Sequence, residues 1–125
     1  MAGAEEGGRV SFDVRHTTVR EVPVLVVTGE LDLLAAPRLA DEVAAALAGD
    51  PAVLAIDLSG TTFLDSGGVR QVVRSARGAG EVGTTVQVVC PPENHPVRMV
   101  FDLLSIDRFV PVLPSADLIG ADPRP

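Results

Sequence analysis

Three groups of residues in this chain have the types that chemistry needs. They are a serine between an acid and two glycines, a scatter of carboxylates, and two histidines with one cysteine. The serine is Ser66, in Phe63-Leu64-Asp65-Ser66-Gly67-Gly68-Val69. An apolar run over 53–58 precedes it. Val69, Val72, Val73 and Ala76 follow at the i, i+3, i+4, i+7 spacing of an amphipathic helix. Ser66 therefore stands where the chain leaves a sheet and opens a helix. The first N–H groups of a helix have no intrahelical partner, and the macrodipole makes that end positive. A hydroxyl there can cap the helix, bind an anion, or carry a phosphate that the helix end stabilises. Spacing alone leaves all three open.

The remaining groups form no constellation. Asp32, Asp57 and Asp65 lack the spacing of a metal site, and no metal or cofactor is expected. His16 falls in a predicted turn and His95 at a predicted helix start, both at the surface. A nucleophile elbow reads Gly-x-Ser-x-Gly, whereas this chain has Leu-Asp-Ser-Gly-Gly. His95 comes in a chain order that suits a base but has no evident route to Ser66. No phosphate-binding glycine loop appears. The chain is not expected to be an enzyme. Cys90, the one cysteine, follows Val86, Val88 and Val89 and reads as a buried small thiol. An internal disulfide is excluded, which fits a reducing cytosol.

The elements that position Ser66 follow from composition and periodicity. The chain has 125 residues, 46% of them hydrophobic, which suits one domain with a real core. The net charge of −7 and the absence of Trp and Tyr argue against nucleic acid, and a basic partner surface is the natural complement. Apolar runs such as Val24–Val27 fall far short of the ~20 residues of a membrane span. The acidic N-terminus has no apolar signal region. A cytoplasmic location is expected.

Residues 1–8 are expected to be disordered, residues 9–120 to form the domain, and 121–125 to fray. Strands are predicted at Arg9–Arg15 by alternation and at Val22–Thr28 by an apolar run, with a polar turn at His16–Glu21 between them. Gly29–Asp32 leaves the second strand. A helix over Ala35–Ala48 follows, with Leu39, Val43 and Leu47 as its stripe. The third strand covers 53–58, and a polar turn is predicted over 59–62. The Ser66 helix is predicted to stop at Gly78-Ala79-Gly80. Thr84–Cys90 reads as a fourth strand. Asn94 is placed to cap a third helix carrying Val97, Val100, Phe101 and Leu104. Arg108–Leu113 reads as a fifth strand and Ser115–Ile119 as a short terminal helix. Right-handed crossovers make the second and third strands parallel. The Gly29–Asp32 and Asp65-Ser66 segments then share one sheet edge, where ligands of such sheets usually bind.

Three segments carry a resemblance: Val27-Thr28-Gly29-Glu30-Leu31-Asp32, the stretch from Ile56 to Val69, and Val100 to Phe109. The chain resembles the STAS domain, most closely the bacterial anti-sigma factor antagonists, over residues 10–119. The resemblance implies an α/β fold with a mixed four- to five-stranded sheet and helices packed mainly on one face. It implies that Ser66 is the phosphoacceptor, modified by a partner that is both serine kinase and anti-sigma factor. The dephosphorylated form would bind that partner and free a sigma factor, and a phosphatase would reset Ser66. The implied contact residues are Glu30 and Asp32 on one segment and Thr62 and Phe63 on the next. Asp65, Ser66 and Gly67 form the helix start, and Val69, Arg70 and Arg74 lie along the helix. A monomer or weak dimer is expected. The alternative is an unphosphorylated STAS subunit of a lipid-transport or stress-sensing complex. Two positions depart from the family pattern: Gly67, where many relatives carry a second hydroxyl, and Arg70, where relatives often carry an apolar or small residue. A side chain at position 70 can reach back over Ser66, since helical side chains lean toward the N-terminus.

Overall fold

The computed structural model describes residues 12–121. The expected disorder at 1–8, the start of the first strand and the fraying after 121 lie outside them. Five strands line up in the order β1-β2-β3-β4-β5. These are β1 (Phe12–Val19), β2 (Val22–Leu31), β3 (Val53–Leu64), β4 (Thr85–Val89) and β5 (Val112–Leu113). β1 pairs antiparallel with β2, and every later pair is parallel. Helices α1 (Ala36–Leu47), α2 (Ser66–Glu81) and α3 (His95–Leu103) send Leu39, Val43, Val69, Val72, Val97 and Phe101 into one core with Leu25, Val27, Leu54, Ile56, Leu58 and Val88. The other sheet face carries a smaller cluster of Val22, Val24, Ala55 and Val89, closed by Ile119. The α/β class, the mixed sheet and the one-sided helix layer match expectation. Ile119 follows a single 3-10 turn at Ala116–Leu118, where a short terminal helix was predicted.

Several boundaries differ from the sequence reading, each for a tertiary reason. The first strand runs on through His16 to Val19, and only Arg20 and Glu21 turn. Both have positive φ, 47° and 67°, as a two-residue hairpin turn of matching twist requires. Arg20 is held there by donating to the carbonyl oxygens of Asp117 (2.6 Å) and Ile119 (3.0 Å). His16, now mid-strand, bonds Glu42 of α1 at 2.6 Å. With Arg38, it holds the Glu42 carboxyl below its ordinary range.

The third strand does not turn at 59–62. It continues to Leu64 beside β2, with register shifts between Val26 and Thr28 and between Gly29 and Glu30. Two bulges thus absorb the polar stretch without ending the strand. Thr61 Oγ1 donates to Val27 O at 3.0 Å. The Asn94 amide donates to the carbonyl oxygens of Leu58 (3.0 Å) and Thr61 (2.8 Å). Asn94 does precede α3, but its side chain pins the bulged strand and makes no cap.

Helix α2 passes through Gly78 and Gly80 and ends only at Glu81. Gly83 (φ 88°) donates to Gly80 O and Thr84 N–H to Ala79 O. This is the paired bonding of a Schellman stop, displaced one turn from the glycines that suggested it. The expected fifth strand shrinks to two residues, because Ile106–Arg108 forms a 3-10 turn that buries Ile106. Cys90 is fully buried just after β4, and burial pushes its thiol pKa up.

Candidate functional site

The ends of β2 and β3 and the start of α2 meet at one edge, and Asp65 is what joins them. Asp65 takes the N-cap position, with extended backbone. Its Oδ1 accepts the Gly68 N–H at 2.9 Å, and its Oδ2 accepts the Leu33 N–H at 3.1 Å. One oxygen satisfies an orphan donor of the helix, and the other ties the β2–α1 loop to it. Ser66 is therefore the first helical residue and not the cap, correcting the simplest reading of its position. Its side chain is exposed and makes no hydrogen bond among the described residues.

The two glycines allow this close approach. A Cβ on Gly68 would collide with the Leu31 carbonyl oxygen and crowd Leu64. A Cβ on Gly67 would lie 2.8 Å from Leu33 Cα. Any side chain at position 67 would therefore push this loop off the helix on which it rests. Asp32 shapes the same loop from its other end, its Oδ1 accepting the Ala35 N–H at 2.9 Å. Asp57 bonds the N–H and hydroxyl of Ser59. Asp32, Asp57 and Asp65 thus each accept at least one backbone N–H.

The structure separates the predicted contact residues into three groups. Glu30, Thr62, Phe63, Ser66, Arg70 and Arg74 are exposed on this edge or along α2. Gly67 and Val69 are buried, Val69 in the main core, so they set the surface without being on it. Asp32 and Asp65 hold the loop. Sequence reasoning missed Leu33 and Leu34, which are 64% and 86% exposed on that loop. The available signal was two adjacent leucines outside the Leu39–Val43–Leu47 stripe, three residues before Pro37. With half-exposed Phe63 they give the edge an apolar character. Beside Thr62 opens a cleft of about 660 Å3 whose lining includes Ser59, Glu93 and Asn94 but no Lys or Arg, a poor match to phosphate.

Replacing Asp65 by Ala is expected to cost about 1–2 kcal/mol of stability, since both a cap and a loop tether are lost. Urea unfolding measures this. In amide exchange, Leu33 should lose protection while the β3 core keeps it.

The fold and this edge define a STAS domain. Residues 14–114 match the family described as "Mlab, STAS domain", and the chain belongs to that family. It is 29% identical over 87 residues to the anti-sigma-F factor antagonist RsfB of Mycobacterium tuberculosis, covering 70% of this chain and 69% of RsfB. The crystal structure of an anti-sigma factor antagonist from Mycobacterium paratuberculosis superposes with a TM-score of 0.76, at 29% identity, over 86% of this chain and 89% of that one. The Bacillus cell fate determinant SpoIIAA in its phosphorylated form gives 0.61 at 22% identity, over 88% and 97%. That last likeness is one of fold. No helix among the described residues is long and apolar enough to cross a membrane.

Proposed function

We propose that this chain is a bacterial, cytoplasmic anti-sigma factor antagonist. Its dephosphorylated form binds an anti-sigma factor with serine-kinase activity and releases the sigma factor. Phosphorylation of Ser66 blocks that binding, and a phosphatase restores it. The observation that carries this reading is the exposure of Ser66 on the first turn of a 16-residue helix. Its hydroxyl makes no hydrogen bond among the described residues, and the neighbouring carboxylate is already engaged by two backbone N–H groups. A phosphate there gains from the helix end while presenting nearly two negative charges outward. The named relatives that are anti-sigma factor antagonists support the partner class. Glu30, Thr62, Phe63 and the loop leucines form the contact edge. No general base is bonded to Ser66 among the described residues, and the reading assigns no catalysis.

A second reading is favoured by the family description itself, which names Mlab beside the STAS domain. In it the same edge docks permanently in a larger complex and Ser66 stays unmodified. The test incubates the protein with ATP and each anti-sigma kinase of its own genome, then measures intact mass. One added phosphate, absent in Ser66→Ala, is expected. No phosphate with any of them supports the second reading.

A further inference from the structure

The second helix carries a charge pattern that a switch at Ser66 leaves unexplained. Arg70, Arg74 and Arg77 are exposed at i, i+4, i+7, on one face of α2. The chain has 10 basic residues against 17 acidic ones, so three of its cations gather on two turns of one helix. That helix has no acid before Glu81. The ion pairs among the described residues are His16–Glu42, Arg38–Asp13, Arg38–Glu42 and Arg98–Asp102, and none involves the stripe. Alongside runs a groove of about 170 Å3 between α1 and α2, lined by Leu33, Pro37, Gly67, Arg70, Gln71 and Arg74. Exposed Leu34 follows Leu33 in the loop that Asp65 holds against α2.

We propose that this groove and stripe dock an acidic amphipathic helix of the regulatory partner. Carboxylates spaced one turn apart meet Arg70, Arg74 and Arg77, and apolar side chains of the same helix cover Leu33 and Leu34. Guanidinium groups pair with carboxylates through two parallel hydrogen bonds, so matched spacing gives register as well as attraction. The whole molecule is acidic and favours basic surfaces, yet this face favours the opposite sign. A second copy of the chain would bring like stripes together. Nucleic acid would meet only three cations, no Trp or Tyr platform and a net charge of −7. The identity of the partner rests on the proposed antagonist function, but the chemistry of the surface does not. A phosphate on Ser66, one turn before Arg70, would compete for the same guanidinium.

The test is an NMR titration of the ¹⁵N-labelled full chain with a synthetic helical peptide, Glu on one face at i, i+4, i+7 and Leu on the other. A scrambled peptide of equal composition is the control. Shift changes centred on Leu33, Leu34 and residues 70–77 are expected, weakening as salt rises. The double variant Arg74→Glu, Arg77→Glu should lose at least about tenfold in affinity, while Arg15→Glu on β1 should not. Circular dichroism checks that each variant folds. Absence of binding, shifts elsewhere, or equal affinity in the double variant overturns the proposal. So does a response at these residues to a DNA duplex or to protein concentration in place of the peptide. Because no anti-sigma factor enters the titration, its failure is separate from failure of the kinase assay.

Discussion

Gly68→Ala is expected to destabilise the domain by about 3 kcal/mol, although alanine is the better helix former. The added methyl would collide with the Leu31 carbonyl oxygen and crowd the Leu64 side chain. Neither neighbour can yield cheaply. Leu31 ends β2, Leu64 ends β3, and the two are paired across the sheet. The start of α2 would have to lift away, taking the Asp65 bonds to Gly68 and Leu33 with it. Gly78→Ala and Gly80→Ala supply the contrast. Both positions lie inside the same helix with nothing within 4 Å of an added Cβ. Each is expected to stabilise by about 0.5–1 kcal/mol through helix propensity. Urea midpoints of the three variants decide the matter. If Gly68→Ala tracked Gly80→Ala, the close contact between the start of α2 and the ends of β2 and β3 would be wrong.

Ser66→Asp is expected to weaken binding to the cognate anti-sigma factor by about a hundredfold, while Ser66→Ala stays within a few-fold. A carboxylate at 66 stands beside that of Asp65, in a contact edge whose exposed neighbours Leu33, Leu34 and Phe63 are apolar. Closing a partner over it requires desolvating a charge that the partner's own acids repel. Stability should move the other way. An acidic residue in the first turn of a helix gains ~0.3–1 kcal/mol from the dipole, so Ser66→Asp should unfold at the same or slightly higher urea. Lost binding with retained stability separates a local charge switch from unfolding. Ser66→Asp binding as tightly as Ser66→Ala would end the switch proposal. Calorimetry of the three proteins against one partner gives the comparison.

Much of the fold was legible because the strong signals are local. Leu39, Val43 and Leu47 mark α1 by spacing, and Val69, Val72 and Val73 mark α2. The errors cluster where two polar or glycine-rich signals were overridden by pairing or packing. Ser59-Gly60-Thr61-Thr62 has the composition of a turn, yet β2 offers a ladder on which it stays extended, and the Asn94 amide donates to the carbonyl oxygens of Thr61 and of Leu58 just before it. Gly78 and Gly80 read as a stop, yet buried Ala79 between them packs in the core and carries the helix past them. A propensity cost of ~1 kcal/mol per glycine is small beside such burial.

The site divides along the same line. From its order of residues alone, the chain determined that a serine would open a helix where a parallel strand ends, near a second acidic turn. Strand and helix periods depend only on neighbours in sequence, so that much needs no tertiary information. Only the tertiary structure decided that Asp65, not Ser66, is the cap, and that Gly67 meets the β2–α1 loop while Gly68 meets the ends of β2 and β3. It also decided that Val69 belongs to the core while Leu33 and Leu34 face outward. Those assignments depend on how closely two segments 32 residues apart approach, as the Leu33–Asp65 bond records. That distance is set by packing across the sheet and is written in no single stretch of the chain.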